Sequence, residues 1–282
     1  MKRLLVVGAG NVGSKVVELS RSKGWEVSGA SLSGGDGLLA LDVGDSDAVN
    51  ALPDFDAVVH CAASGRGGED AYRSVYLRGC RNLSNRFSSA KLIFTSSSSV
   101  YSQTDGKMVN EESETLPGRE TGRILLEAER VVTDSGGVVV RLAGIYGPGR
   151  SVLLRKFLDG EAVIEEDGRR IINQIHRDDA ASAVVHLLTM ANFPEGEIFN
   201  VCDSAPMSQL KVYQGMAAIF GKTLPPSGPR DLNRKRGWTH KQVSNAKIVE
   251  TGWCPGFPRF LDAVGADGAI CATGDLQSSD AY

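Results

Sequence analysis

The sequence predicts an α/β fold with a doubly wound parallel sheet and a small C-terminal lobe. Short apolar segments alternate with segments of helical period over the first half of the chain, which is typical of parallel strands joined by helices. The first apolar segment leads directly into a glycine-rich turn, and the alternation stops after residue 149. We therefore expect a sheet domain over 1–149, completed by 174–204, a lobe formed by 150–173 and 205–264, and a mobile tail over 265–282.

The composition is that of a globular protein, without the features of a nucleic-acid-binding, membrane or metal-binding protein. The chain has 282 residues, of which 41% are hydrophobic and 23% are charged, as in ordinary globular proteins. A net charge of -3 gives no reason to expect nucleic acid or an anionic membrane as partner. Apolar runs are too short for a membrane span or a signal peptide, and the 5 cysteines form no metal-binding or disulfide pattern. We expect a cytoplasmic protein without a metal site.

The glycine-rich turn predicts a dinucleotide site. Residues 3–7 form a buried strand, and the following glycines have the spacing G-x-G-x-x-G before a helical pattern begins. Gly8 allows the tight exit from the strand, Gly10 lets a pyrophosphate approach the backbone, and Gly13 lets the helix pack on the strand. The sequence thus predicts a Rossmann domain. The cofactor contacts expected at this turn are Gly8, Gly10, Asn11, Val12 and Gly13.

The second and third predicted strands bear on the choice between NADP and NAD. Residues 25–30 form the second strand, and no acidic residue follows it until Asp36. A carboxylate there would repel a 2′-phosphate, so the hydroxyls of Ser31 and Ser33 favour NADP over NAD, without excluding NAD. Asp42 ends the third strand, where it could contact adenine or simply cap the next turn.

The fourth and fifth predicted strands end in small and hydroxylic residues. Ala62 and Ala63 close the strand that begins at residue 57, and small side chains leave room for a flat cofactor. His60, inside that apolar strand, is predicted to be a core residue. The strand that begins at residue 90 ends in a serine run at the edge where open α/β sheets bind ligands, although a low-complexity loop would have the same composition. The hydroxyl residues predicted for the site are Thr95 and Ser96 for the cofactor, Ser97 for catalysis and Ser98 for the substrate.

The remaining segments complete the sheet and add the lobe. Helices are expected over 118–133, 178–190 and 209–220, with strands over 138–143 and 197–201. The arginine-rich stretch 225–238 is either a solvated loop or a wall facing an anionic substrate. The predicted substrate-pocket residues of this half are Tyr146, Arg150, Asn173 and His176.

These stretches resemble the short-chain dehydrogenase/reductase superfamily, in the extended form typified by nucleotide-sugar epimerases and dehydratases. The resemblance covers about residues 3–260. It rests on the glycine turn and on the segments F-T-S-S-S-S-V-Y at 94–101, R-L-A-G-I-Y-G-P-G at 141–149 and I-H-R-D-D-A at 175–180. It implies a Rossmann fold, an NAD or NADP cofactor and Ser97 as the serine that contacts a substrate oxygen.

The chain departs from the family at its catalytic pair. The resemblance places Thr121 where the family has a catalytic tyrosine, Leu125 where it has a lysine, and Tyr76 where it often has an asparagine. Threonine has no useful acidity near neutral pH, and proton transfer by the tyrosine is typically worth about 10²–10⁴-fold. The chain is therefore similar to the atypical members that lack this pair, and most similar to a bacterial branch, the YeeZ-like proteins.

Other groups could supply the missing proton. The resemblance implies that the segments carrying Tyr76, Tyr101, Tyr146 and His176 converge on the nicotinamide end of the cofactor. Tyr101 directly follows the serine strand and is the first candidate for the acid, the alternative being a core aromatic under the loop. Thr121 itself remains a candidate by position.

We expect an NAD(P)-dependent oxidoreductase or epimerase/dehydratase-like enzyme that acts on a carbonyl, hydroxyl or imine of a small polar substrate. An iminium would suffer least from the missing tyrosine, because it arrives already protonated. The alternatives are a non-catalytic NAD(P)-binding sensor or partner protein, and a non-redox lyase or cyclase on the same fold. The resemblance allows either a monomer or a homodimer.

Overall fold

Seven parallel strands form the central sheet of the computed structural model, which describes residues 1–65, 67–231, 238–266 and 270. The strands are β1 (Arg3–Val7), β2 (Glu26–Ser31), β3 (Leu39–Ala40), β4 (Ala57–His60), β5 (Lys91–Ser97), β6 (Val138–Leu142) and β7 (Ile198–Val201). Their spatial order is β7-β6-β5-β4-β1-β2-β3, and every neighbouring pair is parallel. The predicted doubly wound α/β sheet is confirmed. The winding direction changes between β1 and β4, and ligands of open α/β sheets bind at such a switch point.

Helices connect the strands and cover both faces of the sheet. They are α1 (Asn11–Ser22), α2 (Ser46–Asn50), α3 (Glu69–Tyr72), α4 (Gly79–Arg86), α5 (Glu120–Asp134), α6 (Val152–Leu158), α7 (Arg177–Thr189), α8 (Gln209–Phe220), α9 (Ala246–Glu250) and α10 (Phe260–Ala266). Helices α1 and α7 pack against each other, and α4 packs against α5. Residues Arg73–Arg78, between α3 and α4, form a π-helical segment, and Ser98–Val100 form a 3₁₀ turn after β5. The sequence pattern predicts one plain helix over 70–87 and gives no sign of the π-helical turn.

Four short strand pairs lie outside the central sheet in the described part of the chain. Residues Met108–Val109 pair with Gln242–Val243, Gly144–Tyr146 with Gln174–His176, Ile164–Glu165 with Ser227–Gly228, and Ile171–Ile172 with Met207–Ser208. No helix within the described ranges has both the length and the apolar character needed to cross a membrane.

Buried apolar side chains form two clusters. The larger cluster lies on both faces of the sheet. Strands β1, β4 and β6 are therefore buried on both faces. The smaller one is formed by side chains from α6, α8 and α10, with Tyr146 at one end. The predicted division into a sheet domain and a substrate lobe remains a prediction. Residues 232–237 of the arginine-rich stretch, and all of the predicted tail except 265, 266 and 270, lie outside the described residues.

Candidate functional site

The glycine turn brings three elements into close contact at the switch point of the sheet. Gly8 has φ +86°, and a Cβ there would lie 2.3 Å from Cα of Ala62, the second residue after β4. A Cβ at Gly13 would lie 2.1 Å from the carbonyl oxygen of Gly8, so only glycine lets α1 approach the turn this closely. Gly10 is the N-cap of α1, and no side chain caps the helix. Its first N–H groups are therefore available to an anionic ligand.

A cavity lies directly beside this turn. Its lining comes from the ends of β4, β5 and β6, the start of α1, helices α3 and α5, the π-helical segment and the stretch 145–150. The lining residues are Asn11, Val12, Cys61, Ala62, Ala63, Tyr72, Tyr76, Thr95, Ser96, Ser97, Ser99, Leu125, Leu142, Ala143, Ile145 and Arg150. The buried Oδ1 atom of Asn11 has no hydrogen-bond partner among the described residues. An unpartnered polar atom beside a close-packed glycine turn fits a dinucleotide, whose pyrophosphate and ribose carry many hydrogen-bonding groups.

The three hydroxyl residues of β5 all line the cavity but differ in how their hydroxyl groups are bonded. Thr95 donates to the carbonyl of His60 at 3.1 Å, and Ser96 donates to the Glu129 carboxylate at 2.6 Å. The Ser97 oxygen accepts the N–H of Ser99 at 3.2 Å and has no acceptor for its own O–H in the described part of the chain. Of the three, Ser97 has the hydroxyl that can donate to a ligand oxygen.

The residues predicted for the adenosine half lie outside this cavity. The Ser31 hydroxyl accepts the N–H of Gly34 at 3.0 Å, and Asp42 accepts the N–H of Gly44 at 2.9 Å in a turn. Ser33 is exposed. All three stand at the carboxyl ends of β2 and β3, on the side of β1 away from β4. Lys15, a possible partner for a 2′-phosphate, is paired with Glu18 at 2.6 Å.

A second cavity adjoins the first at the start of α5. Tyr72, Ser99 and Leu125 line both cavities. Thr121 lines only the second one, together with Glu69, Glu120, Trp238 and others. The positions that the resemblance assigns to the family's tyrosine and lysine thus face these cavities with a threonine and a leucine, neither of which can protonate a substrate.

Tyr101 does not line either cavity, contrary to the expectation that it is the acid. Its side chain is fully buried, its hydroxyl accepts from Arg141 at 2.8 Å, and Asn110 O and Asn200 Oδ1 lie within 3.0 Å. Burial raises the pKa of this phenol, although Arg141 opposes the shift. The residue directly follows the 3₁₀ turn at 98–100, which ends β5.

Four predicted substrate residues are likewise absent from the cavity linings. Ser98 is buried, and Tyr146 belongs to the smaller core, packed edge-on against Phe260 and His176. His176 accepts the N–H of Asp178 at 3.2 Å and so caps α7. Asn173 bonds the backbone of Lys241 and Val243 and holds two loops together. The polar groups of Asn173 and the Nδ1 atom of His176 are thus used within the fold.

Arg150 is the predicted substrate residue that does line the first cavity. Its backbone and that of Gly147 exchange two hydrogen bonds of 2.8 and 2.9 Å, and Gly149 has φ +67°. This tight turn brings the guanidinium from the end of the 144–146 strand to the cavity. It gives the site a cation for a polar substrate group.

Cys61 and Tyr72 are among the lining residues that were not predicted as site residues from the sequence. Cys61 follows β4, and burial raises the pKa of its thiol to about 12, so it cannot serve as a thiolate at neutral pH. Tyr72 is the last residue of α3, and it was assigned only as an apolar position of a helix. Nothing in the local pattern distinguishes a tyrosine that lines a cavity from one that packs in a core.

Sheet order, glycine turn and serine-ended strand together define the class of nucleotide-binding α/β proteins to which epimerases and dehydratases belong. Residues 4–202 match the NAD dependent epimerase/dehydratase family, and the chain is a member of that family. It is 32% identical to Protein YeeZ of Escherichia coli strain K12 in an alignment of 257 residues that covers 84% of this chain and 90% of that protein. The family predicted from the sequence motifs is confirmed.

Solved structures share the fold. A UDP-glucuronic acid 4-epimerase from Bacillus cereus, in complex with UDP-glucuronic acid and NAD, has a TM-score of 0.79 at 21% identity, with 95% of this chain and 99% of that chain covered. The human epimerase family protein SDR39U1, with NADPH, has a TM-score of 0.78 at 22% identity, with 93% and 98% covered. At this level of identity the likeness extends to the fold.

Proposed function

We propose that this protein is an NAD(P)-dependent oxidoreductase or epimerase/dehydratase-like enzyme of the atypical short-chain dehydrogenase class. It would act on a carbonyl, hydroxyl or imine of a small polar substrate without the usual tyrosine and lysine. The observation that carries the proposal is the cavity in which the glycine turn, the end of β5 and Arg150 meet. We further propose that it acts in the cytoplasm as a monomer or homodimer.

In this proposal some cavity residues bind the cofactor and others contact the substrate. The glycine turn and the N–H groups of α1 would bind the pyrophosphate, and Asn11 would offer its unpartnered oxygen to a hydroxyl of the cofactor. The small side chains of Ala62 and Ala63 leave space for a flat ring. A bound dinucleotide supplies or accepts a hydride, while Ser97 donates a hydrogen bond to the substrate oxygen and Arg150 holds a polar substituent.

Calorimetric titration with NADPH, NADP⁺, NADH and NAD⁺ tests the cofactor. We expect micromolar binding of at least one form, with NADP(H) preferred because no carboxylate follows β2 before Asp36. In a Ser31→Asp variant the new charge should weaken NADP(H) binding at least about tenfold and leave NAD(H) binding within about threefold. Failure of all four ligands to bind would refute the proposal.

A non-catalytic dinucleotide sensor is the second candidate, favoured by Thr121 and Leu125 at the positions of the usual catalytic pair. NADPH oxidation in the presence of aldehydes, ketones and imines separates the two functions. Turnover of any of these substrates supports the enzyme. Tight dinucleotide binding without turnover across the panel supports the sensor.

A further inference from the structure

Tyr72 occupies a distinctive place in the wall between the two cavities. It lines the first cavity, beside the glycine turn, and the second cavity, which Thr121 also lines. We call these the inner and the outer cavity. The ring is half-buried, and its hydroxyl makes no hydrogen bond to another described residue. A phenol placed in this way can contact a ligand in the inner cavity and exchange protons with solvent through the outer one.

The π-helical segment after Tyr72 has its own internal support. A π turn widens the helix and is often found at functional sites. Here the ring of His60 lies 2.9 Å from the carbonyl oxygen of Val75, inside the segment. Burial lowers the pKa of His60 to about 4, so the ring is neutral and can donate its single N–H to that carbonyl. His60 thereby holds the segment and positions the tyrosine that precedes it.

Tyr72 is also held against the helix that lacks the usual catalytic pair. Arg73, the next residue, forms an ion pair with Glu120 at the start of α5. Thr121 follows Glu120 directly, and Leu125 lines both cavities with Tyr72. The phenol therefore lies on the helix that packs against α5, beside the position from which a tyrosine is missing.

The other described tyrosines are less suited to proton transfer. Tyr101, Tyr146 and Tyr213 are at most 3% exposed and line neither cavity. Tyr76 lines the inner cavity, but its oxygen accepts the N–H of Ser64 at 3.2 Å, and it does not reach the outer cavity.

We propose that Tyr72 is the general acid that replaces the missing family tyrosine; this rests on the dinucleotide chemistry of the proposed function. In carbonyl reduction a bound reduced dinucleotide would supply the hydride for the new C–H bond at the carbonyl carbon, and the C=O π electrons would move to oxygen. That oxygen takes the proton of the Tyr72 hydroxyl, and the resulting phenolate is reprotonated from water in the outer cavity. In the oxidative direction each transfer is reversed.

Nitration of the wild-type protein by tetranitromethane tests the location, because no substitution is needed and peptide mass spectrometry reads each tyrosine separately. NADP⁺ and NAD⁺ are compared with ADP-ribose and its 2′-phosphate, which lack nicotinamide. At ligand concentrations about tenfold above Kd, mass action leaves about one site in ten free, so the full dinucleotide should slow nitration of Tyr72 about tenfold. The fragments should leave it within about twofold of the rate without ligand.

Kinetics of a Tyr72→Phe variant test the acid role. Its reduction of aldehydes or ketones should fall about 10²-fold or more, whereas reduction of a preformed iminium should stay within about threefold, since the iminium needs no proton. Tyr213→Phe, in the smaller core, is the matched control and should leave both rates unchanged. A merely structural role for Tyr72 would lower both rates alike.

The outcomes separate the two proposals. Absence of dinucleotide binding refutes the proposed function itself. Dinucleotide binding that leaves Tyr72 nitration unchanged, or a Tyr72→Phe variant that reduces carbonyls as fast as the wild type, overturns the assignment of Tyr72 and leaves the cofactor site intact.

Discussion

At the residue scale, tyrosines close to the carboxyl edge of the sheet have contrasting surroundings. The Tyr101 hydroxyl lies in a buried network with Arg141, Asn110 and Asn200, and the backbone oxygen of the same residue accepts from Lys241 at 2.5 Å. The Tyr72 ring instead lines two cavities. A buried phenol in such a network contributes to stability, because removing it leaves a charged donor unsatisfied.

A Tyr101→Phe variant should therefore lose stability and keep its ligand. We expect the free energy of unfolding to fall by about 1–3 kcal/mol, since the Arg141 guanidinium loses a buried acceptor. Dinucleotide affinity, measured by calorimetry, should change by less than about threefold. Unchanged denaturation together with a tenfold loss of turnover would instead place Tyr101 at the reacting atoms.

Glu129 joins three elements of the sheet domain. It lies on α5, makes a bidentate ion pair with Arg141 on β6, and accepts the hydroxyl of Ser96 on β5. Both charged side chains are at most 4% exposed. Such a pair holds α5 in place beneath the serine-ended strand.

Replacing Glu129 by Gln should destabilise the protein strongly, by about 3–5 kcal/mol, because a buried arginine keeps its charge without a counter-ion. Urea denaturation measures the effect. Glu197→Gln removes the partner of Lys247 in a half-exposed pair and is the matched control, with an expected loss below about 1 kcal/mol. Equal losses in the two variants would contradict the importance of burial.

At the element scale, the strand–turn–helix unit is stable only if α1 can lie very close to the turn after β1. In a Gly13→Ala variant the new methyl group would meet the Gly8 carbonyl, which is backbone and cannot rotate away. We expect a stability loss of about 1–3 kcal/mol from overpacking, and a dinucleotide Kd at least about tenfold higher. Thermal unfolding and calorimetry report the two effects.

Gly265→Ala in α10 provides the control for this substitution. No atom lies within 4 Å of the Cβ position there, and the residue is helical. Its stability should stay within about 1 kcal/mol of the wild type, with any change favourable, since alanine is the better helix former. If Gly13→Ala behaved in the same way, the close approach at Gly8 would have no energetic consequence.

At the scale of the whole molecule, two buried groups affect the pH dependence of stability in opposite directions. Burial raises the pKa of Asp203 to about 7 and lowers the pKa of His60 to about 4. Asp203 costs stability as pH rises from about 4 to 7, because the unfolded carboxyl ionises first. His60 costs stability as pH falls from about 6.5 to 4, because the unfolded imidazole is protonated first.

An Asp203→Asn variant separates these two contributions to the pH dependence of stability. At pH 8 it should be more stable than the wild type by a few kcal/mol, on the order of the linkage energy of the shifted carboxyl, and the difference should disappear near pH 4. As pH falls from about 6.5 to 4, the free energy of unfolding of the variant should decline more steeply than that of the wild type. The destabilising contribution of His60 remains, and the stabilising contribution of Asp203 that offsets it is gone. A difference independent of pH would show that folding does not shift the pKa of Asp203.

The local sequence pattern was sufficient to predict helices and strands, but not to predict the direction in which a side chain points. The helix predicted over 209–220 has those bounds in the structure, because alternating periods and turn residues act over a few positions. Helix α5 begins two residues later than expected, at Glu120. Tyr101 and Tyr146 were expected at the site and lie in the interior, since the direction of a ring depends on packing partners far along the chain.

The amino-acid sequence by itself determined the parallel sheet, the glycine turn, the family and the position of the serine-ended strand. Each of these follows from short-range periodicity, or from glycines required where backbones meet. Only the tertiary structure decided that Tyr72 lines both cavities, that a π turn supported by His60 follows it, and that Tyr101 is enclosed by Arg141 and Asn200. Those features depend on contacts between residues tens of positions apart, which form only when the chain is folded.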